Sequence, residues 1–381
     1  MAGVRTFLPP GEGIDEERLD WRGRLVSWLL ARGPIFYALV VLVASLGKYG
    51  AGVFPSWDIM RAFAQHWQDP MSSPLLRPPA GYLLGSPTSA VVAGVLHLSS
   101  ARAYLGFHLV LAAAAIVAPF ALQRARQRPE LRLALALLLV GGAVPAVLLD
   151  WVGSYDPVSL AAAATAVLAT NRVVAGAAWA VFAFNNAPEA AVALIIYSVV
   201  LWSADHLNAL ERVGTAAAGA ICGYLGVRAL TSAWHGGESQ LTMFQHYGYS
   251  RFLHDAVGYW PIVTFSALGV GWLFLLDRRV WAMACSHWLV GMSVVTSLAL
   301  PLVVLDASRL VASTLWPSVL VVTDRVISTL SRADIVALLG RLLPFALVVV
   351  VLDWDGTLVY AGWDYLLHLL GFLVGLNHSP S

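Results

Sequence analysis

The chain has 381 residues, of which 59% are hydrophobic and 12% charged, against about 25% charged in an average soluble domain. A water-soluble fold of this length has too little interior to hide so much apolar surface, so composition excludes a soluble enzyme, a disordered chain and a disulfide scaffold. A polytopic membrane protein remains, with lipid-facing surface absorbing the excess; the mean hydropathy is +0.73, and a net charge of +1 provides no field that would select nucleic acid.

Residues 1–33 are charged and lack the short apolar core and small-residue cleavage site of a signal peptide. They read as a cytoplasmic N-terminal segment ahead of a single transmembrane domain over 34–376, with a short tail at 377–381. A crossing helix needs about 20 apolar residues, fewer if it is bent or partly buried in protein. Runs of that kind fall at 34–54, 103–122, 133–150, 157–170, 173–186, 188–203, 212–230, 258–276, 280–304, 310–323, 335–352 and 362–376. The expectation is therefore an all-α bundle of about twelve transmembrane helices, within a range of ten to thirteen. The apolar piece 82–98 is interrupted by Pro87 and runs into Ser99-Ser100-Ala101-Arg102, so it reads as a half-helix and extends the first outer loop to 55–102. With both termini in the cytoplasm, fifteen arginines fall on the inner side and seven basic residues on the outer side, as the positive-inside rule favours. Counting 82–98 as a full crossing would move the cluster Arg124, Arg126, Arg128 and Arg132 outside.

This orientation leaves short, arginine-rich inner loops and places carboxylates, histidines and aromatics on the outer side. Trp57, Met60, Phe63, Ala64 and Trp67 recur at helical spacing, which predicts an amphipathic helix with its apolar face in the headgroup zone. A second outer loop, 231–257, carries His246, Arg251 and His254. Asp150, Asp156, Asn185, Asn186, Glu189, Asp306 and Arg309 fall in smaller outer turns, where a solvated loop position is the plain reading. Lys48, late in the first span, either snorkels to the interface or presents an ammonium to a phosphate just below the headgroups. His97, His108 and His287 read as helix contacts; no histidine pair has chelating spacing, which predicts no histidine-built metal site. Cys222 and Cys285 lie far apart in apolar segments and read as packing residues. No glycine-rich phosphate loop or nucleophile elbow occurs. Asp353-Trp354-Asp355-Gly356-Thr357 spells a D-x-D-G-T phosphatase signature. It leaves a membrane span with no Rossmann-like alternation after it, so an outer turn is the simpler reading.

Three stretches resemble one known family. Trp57-Asp58 follows the first span and opens the amphipathic stretch. Arg77-Pro78-Pro79-Ala80-Gly81-Tyr82-Leu83-Leu84 precedes the half-helix. Gly153-Ser154-Tyr155-Asp156-Pro157 is followed by Asn171-Arg172-Val173-Val174-Ala175-Gly176 and then by Asn185-Asn186-Ala187-Pro188-Glu189. Over roughly residues 34–205 this order resembles the GT-C superfamily of integral-membrane glycosyltransferases, in its mannosyltransferase-like branch. The resemblance implies transfer of a sugar from a polyprenyl-phosphate carrier to a glycan, lipid or protein acceptor of the cell envelope, on the outer face of the plasma membrane. It places the general base at Asp58, whose other reading is an N-cap of the following helix. It makes Lys48, Arg61, Arg77, Arg251 and Arg309 the candidate phosphate holders, although Arg309 can equally pair with Asp306 at a helix start. Trp57 is placed to stack on a sugar, and His66, Tyr82, Asp156, His246 and His254 are the remaining candidate substrate contacts. A divalent cation, Mg or Mn, is a possible cofactor. A lipid-linked glycan polymerase or ligase is a neighbouring reading. A flippase or carrier predicts ionisable residues at the bilayer midplane and inverted repeats, and a non-catalytic scaffold predicts neither transport nor transfer.

Overall fold

The computed structural model describes residues 21–77, 80–234, 260–302, 307–354, 357–359 and 362–380. The N-terminal half runs α1 (Trp21–Leu30), α2 (Pro34–Tyr49), α3 (Trp57–Gln65), α4 (Thr88–Val95), α5 (Ala101–Ala121), α6 (Gln123–Gln127), α7 (Pro129–Gly141) and α8 (Val144–Asp150). It continues through α9 (Asp156–Leu168), α10 (Arg172–Asn185), α11 (Ala187–Ala204) and α12 (His206–Ala233). Residues 260–268 form α13. The rest is α14 (Gly271–Leu276), α15 (Arg278–Trp281), α16 (Ala284–Ala299), α17 (Ala307–Thr329), α18 (Arg332–Leu342) and α19 (Gly362–Leu373). The architecture is all-α apart from one antiparallel pair of strands, β1 (Leu352–Trp354) and β2 (Thr357–Val359). Asp353 and Thr357 of the D-x-D-G-T spelling lie on this antiparallel pair and not on a parallel strand, while Asp355 and Gly356 lie outside the described residues.

Four helices, α5, α11, α12 and α17, are long and apolar enough to cross a membrane, and up to six crossings result if the bent pairs α1–α2 and α7–α8 each count as one. This is a multi-pass membrane protein. Several expected spans are shorter or broken, and the chain itself supplies the reason. The α1–α2 bend of 118° falls at Gly33-Pro34, where proline begins a new helix and cannot continue the old one. The α7–α8 bend of 52° falls at Gly141-Gly142. The expected span 258–276 is divided by a turn in which Gly269 has φ +52°, and 335–352 ends as α-helix at Leu342, continues as a 3-10 turn over Leu343–Leu347, and enters β1. Residues 82–98 form a 3-10 turn over Ala80–Gly85 and then α4, whose eight residues span only about 12 Å.

Helix breaks in a membrane protein are tolerated where protein groups satisfy the freed backbone, and here the end of α2 supplies them. The Lys48 ammonium donates to the carbonyls of Val140 and Val348 and, at 3.1 Å, of Ala346. The Tyr49 hydroxyl donates to Gly142 O (3.3 Å) and accepts from Val350 N (3.4 Å). Lys48 thus neither snorkels nor presents an open ammonium; its donors go to carbonyls at two interruptions. Lys48→Met is expected to destabilise the fold by about 2–3 kcal/mol through orphaned carbonyls, read as an earlier midpoint in detergent-denaturant titration. An unchanged midpoint would show that these carbonyls find other donors.

Helix α17 forms the centre: 89% of its most apolar 18-residue window is buried inside the protein, against 22% for α12. The outer helix α12 exposes Leu207, Leu210, Ile221 and Leu225, so much of the compositional excess lies on lipid-facing surface of this kind. Cys222 is exposed on the same helix, whereas Cys285 is buried, so only Cys285 serves as a packing residue. Helices α10 and α12 approach closely because Gly176, Gly219 and Gly223 line their seam; a Cβ at Gly219 or Gly223 would collide with the α10 backbone.

The arginine-rich end is tied together by ion pairs. Asp324 accepts from Arg124 (2.6 Å) and Arg128 (2.5 Å), and Asp277 accepts from Arg341 (3.0 Å). Asp334, in the first turn of α18, accepts from the Ser331 hydroxyl (2.7 Å) and Arg279 Nε (2.6 Å). These contacts, the serine's first, hold its carboxyl below the usual range. A depressed folded value adds stability above the ordinary pKa of about 4, and that stability is lost as pH falls through the depressed value. Asp334→Asn is therefore expected to lower the thermal midpoint slightly at pH 7 and to match the parent once the pH has fallen below the depressed value. A gap that persists in acid would assign the effect to packing.

Candidate functional site

The end of the bundle remote from the paired arginines is organised by a short ladder. Beyond α2, Gly52 N donates to Leu149 O (2.8 Å) and Phe54 N to Val152 O (2.9 Å), while Val152 N donates to Gly52 O (3.0 Å). The segment after α8 is thereby fixed beside the segment leading to α3. Gly153 has φ +102°, and a Cβ there would lie 3.0 Å from the Trp57 Cβ, so glycine permits both the left-handed backbone and the close approach. The Tyr104 hydroxyl donates to Gly153 O at 3.1 Å.

Below this junction lies a polar cluster that the bundle buries. Its ion pair is Arg309 Nη1 to Asp156 Oδ1 at 2.7 Å, with the two side chains 4% and 0% exposed. Arg309 Nη2 donates to the Tyr155 hydroxyl at 3.0 Å, and the guanidinium carbon lies 5.0 Å from the Trp151 ring centroid and 5.1 Å from that of Tyr155. The Trp151 ring in turn packs on Phe54, with centroids 5.9 Å apart. Asn185 Nδ2 donates to Tyr155 O (2.9 Å) and Ser159 Oγ (2.8 Å), joining the end of α10 to the start of α9. Asn186 caps α11: its Oδ1 accepts from Glu189 N (3.2 Å) and its Nδ2 donates to Glu189 Oε2 (2.8 Å). Asp156 and Glu189 lie in the first turns of α9 and α11, where the positive helix ends offset buried negative charge. The buried Asp, Glu, His, Lys and Arg side chains among the described residues are His108, Arg132, Asp150, Asp156, Glu189 and Arg309. Four of the six, from Asp150 onward, belong to the helix ends at or beside this cluster.

The expected solvated turns are thus a correction. Asp150, Asp156, Asn185, Asn186, Glu189 and Arg309 are all buried. The connections between their helices are too short to lift the side chains into water, and they cap and pair instead. Arg309 is paired with Asp156; Asp306 lies outside the described residues. Arg309 and Asp156, both expected as substrate contacts, come together, but as an internal pair. Sequence reading overlooked Tyr155 and Trp151 as the aromatic walls of Arg309, and Glu189 as a buried carboxylate. The pattern Asn186-x-x-Glu189 at a helix start was the legible signal for the last.

The remaining candidates form the rim. Asp58 is exposed in the first turn of α3, and its Oδ1 accepts from Ile59 N at 2.9 Å. Ser56 occupies the cap position and makes no side-chain cap. Arg61 stacks over Trp57 at 5.5 Å, and its buried Nε has no partner among the described residues. His66 Nδ1 lies 3.2 Å from Ser72 Oγ, and Arg77 is exposed. The amphipathic face of α3 does not lie free in the headgroups: Met60, Phe63 and Ala64 are buried, and α3 packs against α4 and the 3-10 turns. The segment that follows α3 supplies the protein partners that cover that face. The backbone of Tyr82 lies in the turn Ala80–Gly85. His246, Arg251 and His254 lie outside the described residues. No group of three or more His, Cys, Asp or Glu side chains placed to hold a metal occurs among the described residues. No family model, no curated protein and no solved structure matches the chain.

Proposed function

We propose that the chain is a membrane glycosyltransferase that moves a sugar from a polyprenyl-phosphate carrier to an envelope glycan, lipid or protein acceptor at the bundle end carrying α3. The observation supporting this is an exposed carboxylate, Asp58, at a helix start that the fold fixes beside a buried polar cluster. Asp58 follows Trp57 in the chain, Trp57 comes close to Gly153, and Gly153 lies between Trp151 and Tyr155, the two rings that flank Arg309 in its pair with Asp156. A carrier phosphate leaves as an anion, so an inverting transfer needs one base for the acceptor hydroxyl and cations for the phosphate. Asp58 is the reachable base; Arg61 and Arg77 on the same rim, with Arg251 of the second outer loop, hold the phosphate. Trp57, already under Arg61, offers its ring to the sugar.

In this reading the chain makes about twelve crossings, several of them broken, with both termini in the cytoplasm and the rim outside the plasma membrane. Buried ionisable groups gathered at helix ends favour transfer over transport, since a carrier would place them near the middle of its helices. The test is incubation of the purified protein in lipid nanodiscs with polyprenyl-phosphate sugars and candidate acceptors. A new glycosidic bond is the expected result. Movement of the carrier across a liposome without bond formation would replace this reading with a flippase, and neither behaviour would leave a scaffold.

A further inference from the structure

A cavity of about 320 Å³ opens at the arginine-rich end, between the ends of α9, α10, α11, α12 and α17. It is separate from the cluster around Arg309. Arg309 and Asp324 lie fifteen residues apart on α17, which is about 22 Å of helix. Four arginines line the cavity, Arg124, Arg172, Arg212 and Arg325, against three carboxylates, Asp205, Glu211 and Asp324.

The carboxylates already have partners. Asp324 accepts from Arg124 at 2.6 Å and from Arg128 at 2.5 Å. Glu211 pairs with Arg172, and Asp205 accepts from Asn208 Nδ2 at 2.9 Å. Arg212 and Arg325 therefore face the cavity with no carboxylate partner among the described residues. Tyr197 and Trp179 also line the cavity, and their rings pack 5.3 Å apart to form an aromatic floor. The first turns of α10 and α12 open here beside the last turns of α9 and α11, so helix-end potentials of opposite sign meet and the attraction for an anion comes from the guanidinium groups. Leu201, Ala204 and Val321 supply an apolar wall.

We infer that this cavity binds a phosphate ester, with Arg212 and Arg325 gripping the phosphate oxygens and Arg124 and Arg172 held at its edge by their carboxylates. Guanidinium forks match phosphate geometry, and a volume of about 320 Å³ accommodates a phosphate with the group esterified to it. Two sources share this chemistry: the headgroup of an anionic phospholipid, for which basic pockets between membrane helices are a known receptor, and a soluble phosphate compound.

The full-length protein in neutral detergent would be titrated with phosphatidylglycerol, phosphatidylcholine or inorganic pyrophosphate at matched ionic strength, with the thermal midpoint as readout. A rise with phosphatidylglycerol alone identifies a lipid headgroup, and a rise with pyrophosphate identifies a soluble ligand. In either case Arg212→Gln/Arg325→Gln is expected to weaken binding at least tenfold. Ala169→Phe, which fills the cavity without touching a charge, should weaken it comparably and serves if the double variant does not fold. The inference is overturned if neither anion shifts the midpoint, if phosphatidylcholine shifts it equally, or if a folded variant binds as tightly as the parent.

Discussion

Replacing Arg309 by methionine is expected to cost about 3–5 kcal/mol, since it leaves the Asp156 carboxylate buried without the guanidinium that neutralises it. The pair is closed from water on both sides, at 4% and 0% exposure. Methionine keeps most of the volume and removes the charge, the hydrogen bonds to Asp156 and the Tyr155 hydroxyl, and the stacking between Trp151 and Tyr155. Lysine should rescue poorly: an ammonium is a point charge that cannot reproduce the flat fork between two rings. The double variant Arg309→Met/Asp156→Leu is expected to recover much of the loss, because exchanging both members of a buried pair for apolar groups is often close to neutral. Denaturant titration of these variants and of Asp156→Leu alone, in one detergent, measures this. A double variant as unstable as the sum of the two single changes would mean that the two charges are not coupled. If the cluster is also the floor of the rim site, the refolded double variant should still lose transfer activity, separating its structural from its functional contribution.

Asp58→Asn is expected to do the opposite, abolishing chemistry while sparing the fold. Losing a positioned general base lowers turnover by roughly 10²–10⁴-fold. Asp58 is exposed and accepts from the amide of Ile59; an asparagine oxygen can accept the same hydrogen bond, so stability should change by only about 0.5 kcal/mol. Asp58→Glu should retain partial activity, with the carboxylate displaced by one methylene. The measurement is initial rate of sugar transfer from a polyprenyl-phosphate donor, normalised to folded protein. Asp58→Asn at parental rate would remove this residue as the base while leaving the transferase reading to be judged by transfer itself.

The two experiments probe layers of the same end of the bundle that differed in legibility. Hydropathy alone indicated a helical membrane protein, because the apolar fraction exceeds what a soluble interior can hold. The helix over Trp57–Gln65 was legible from its spacing, and so was the break in residues 82–98, since proline and glycine act within a few residues of themselves; the helix Trp21–Leu30 ahead of Gly33-Pro34 was not, because its charged residues read as an N-terminal segment. The face of α3 was assigned to lipid headgroups, however, because periodicity reports that a face is apolar and not what covers it.

What the sequence by itself determined is thus local: a membrane-embedded all-α chain, its turn-prone positions, and arginines concentrated toward one end. Tertiary structure alone decided the environment of each polar side chain. Asp156 and Arg309 are 153 residues apart in the chain, and Lys48 finds carbonyls 92 and 300 residues away. No window along the sequence distinguishes a solvated turn from a buried ion pair, or a snorkelling lysine from one that caps two broken segments. The difference lies in whether another part of the chain excludes water from the site, and burial makes partnership obligatory only once that exclusion is in place.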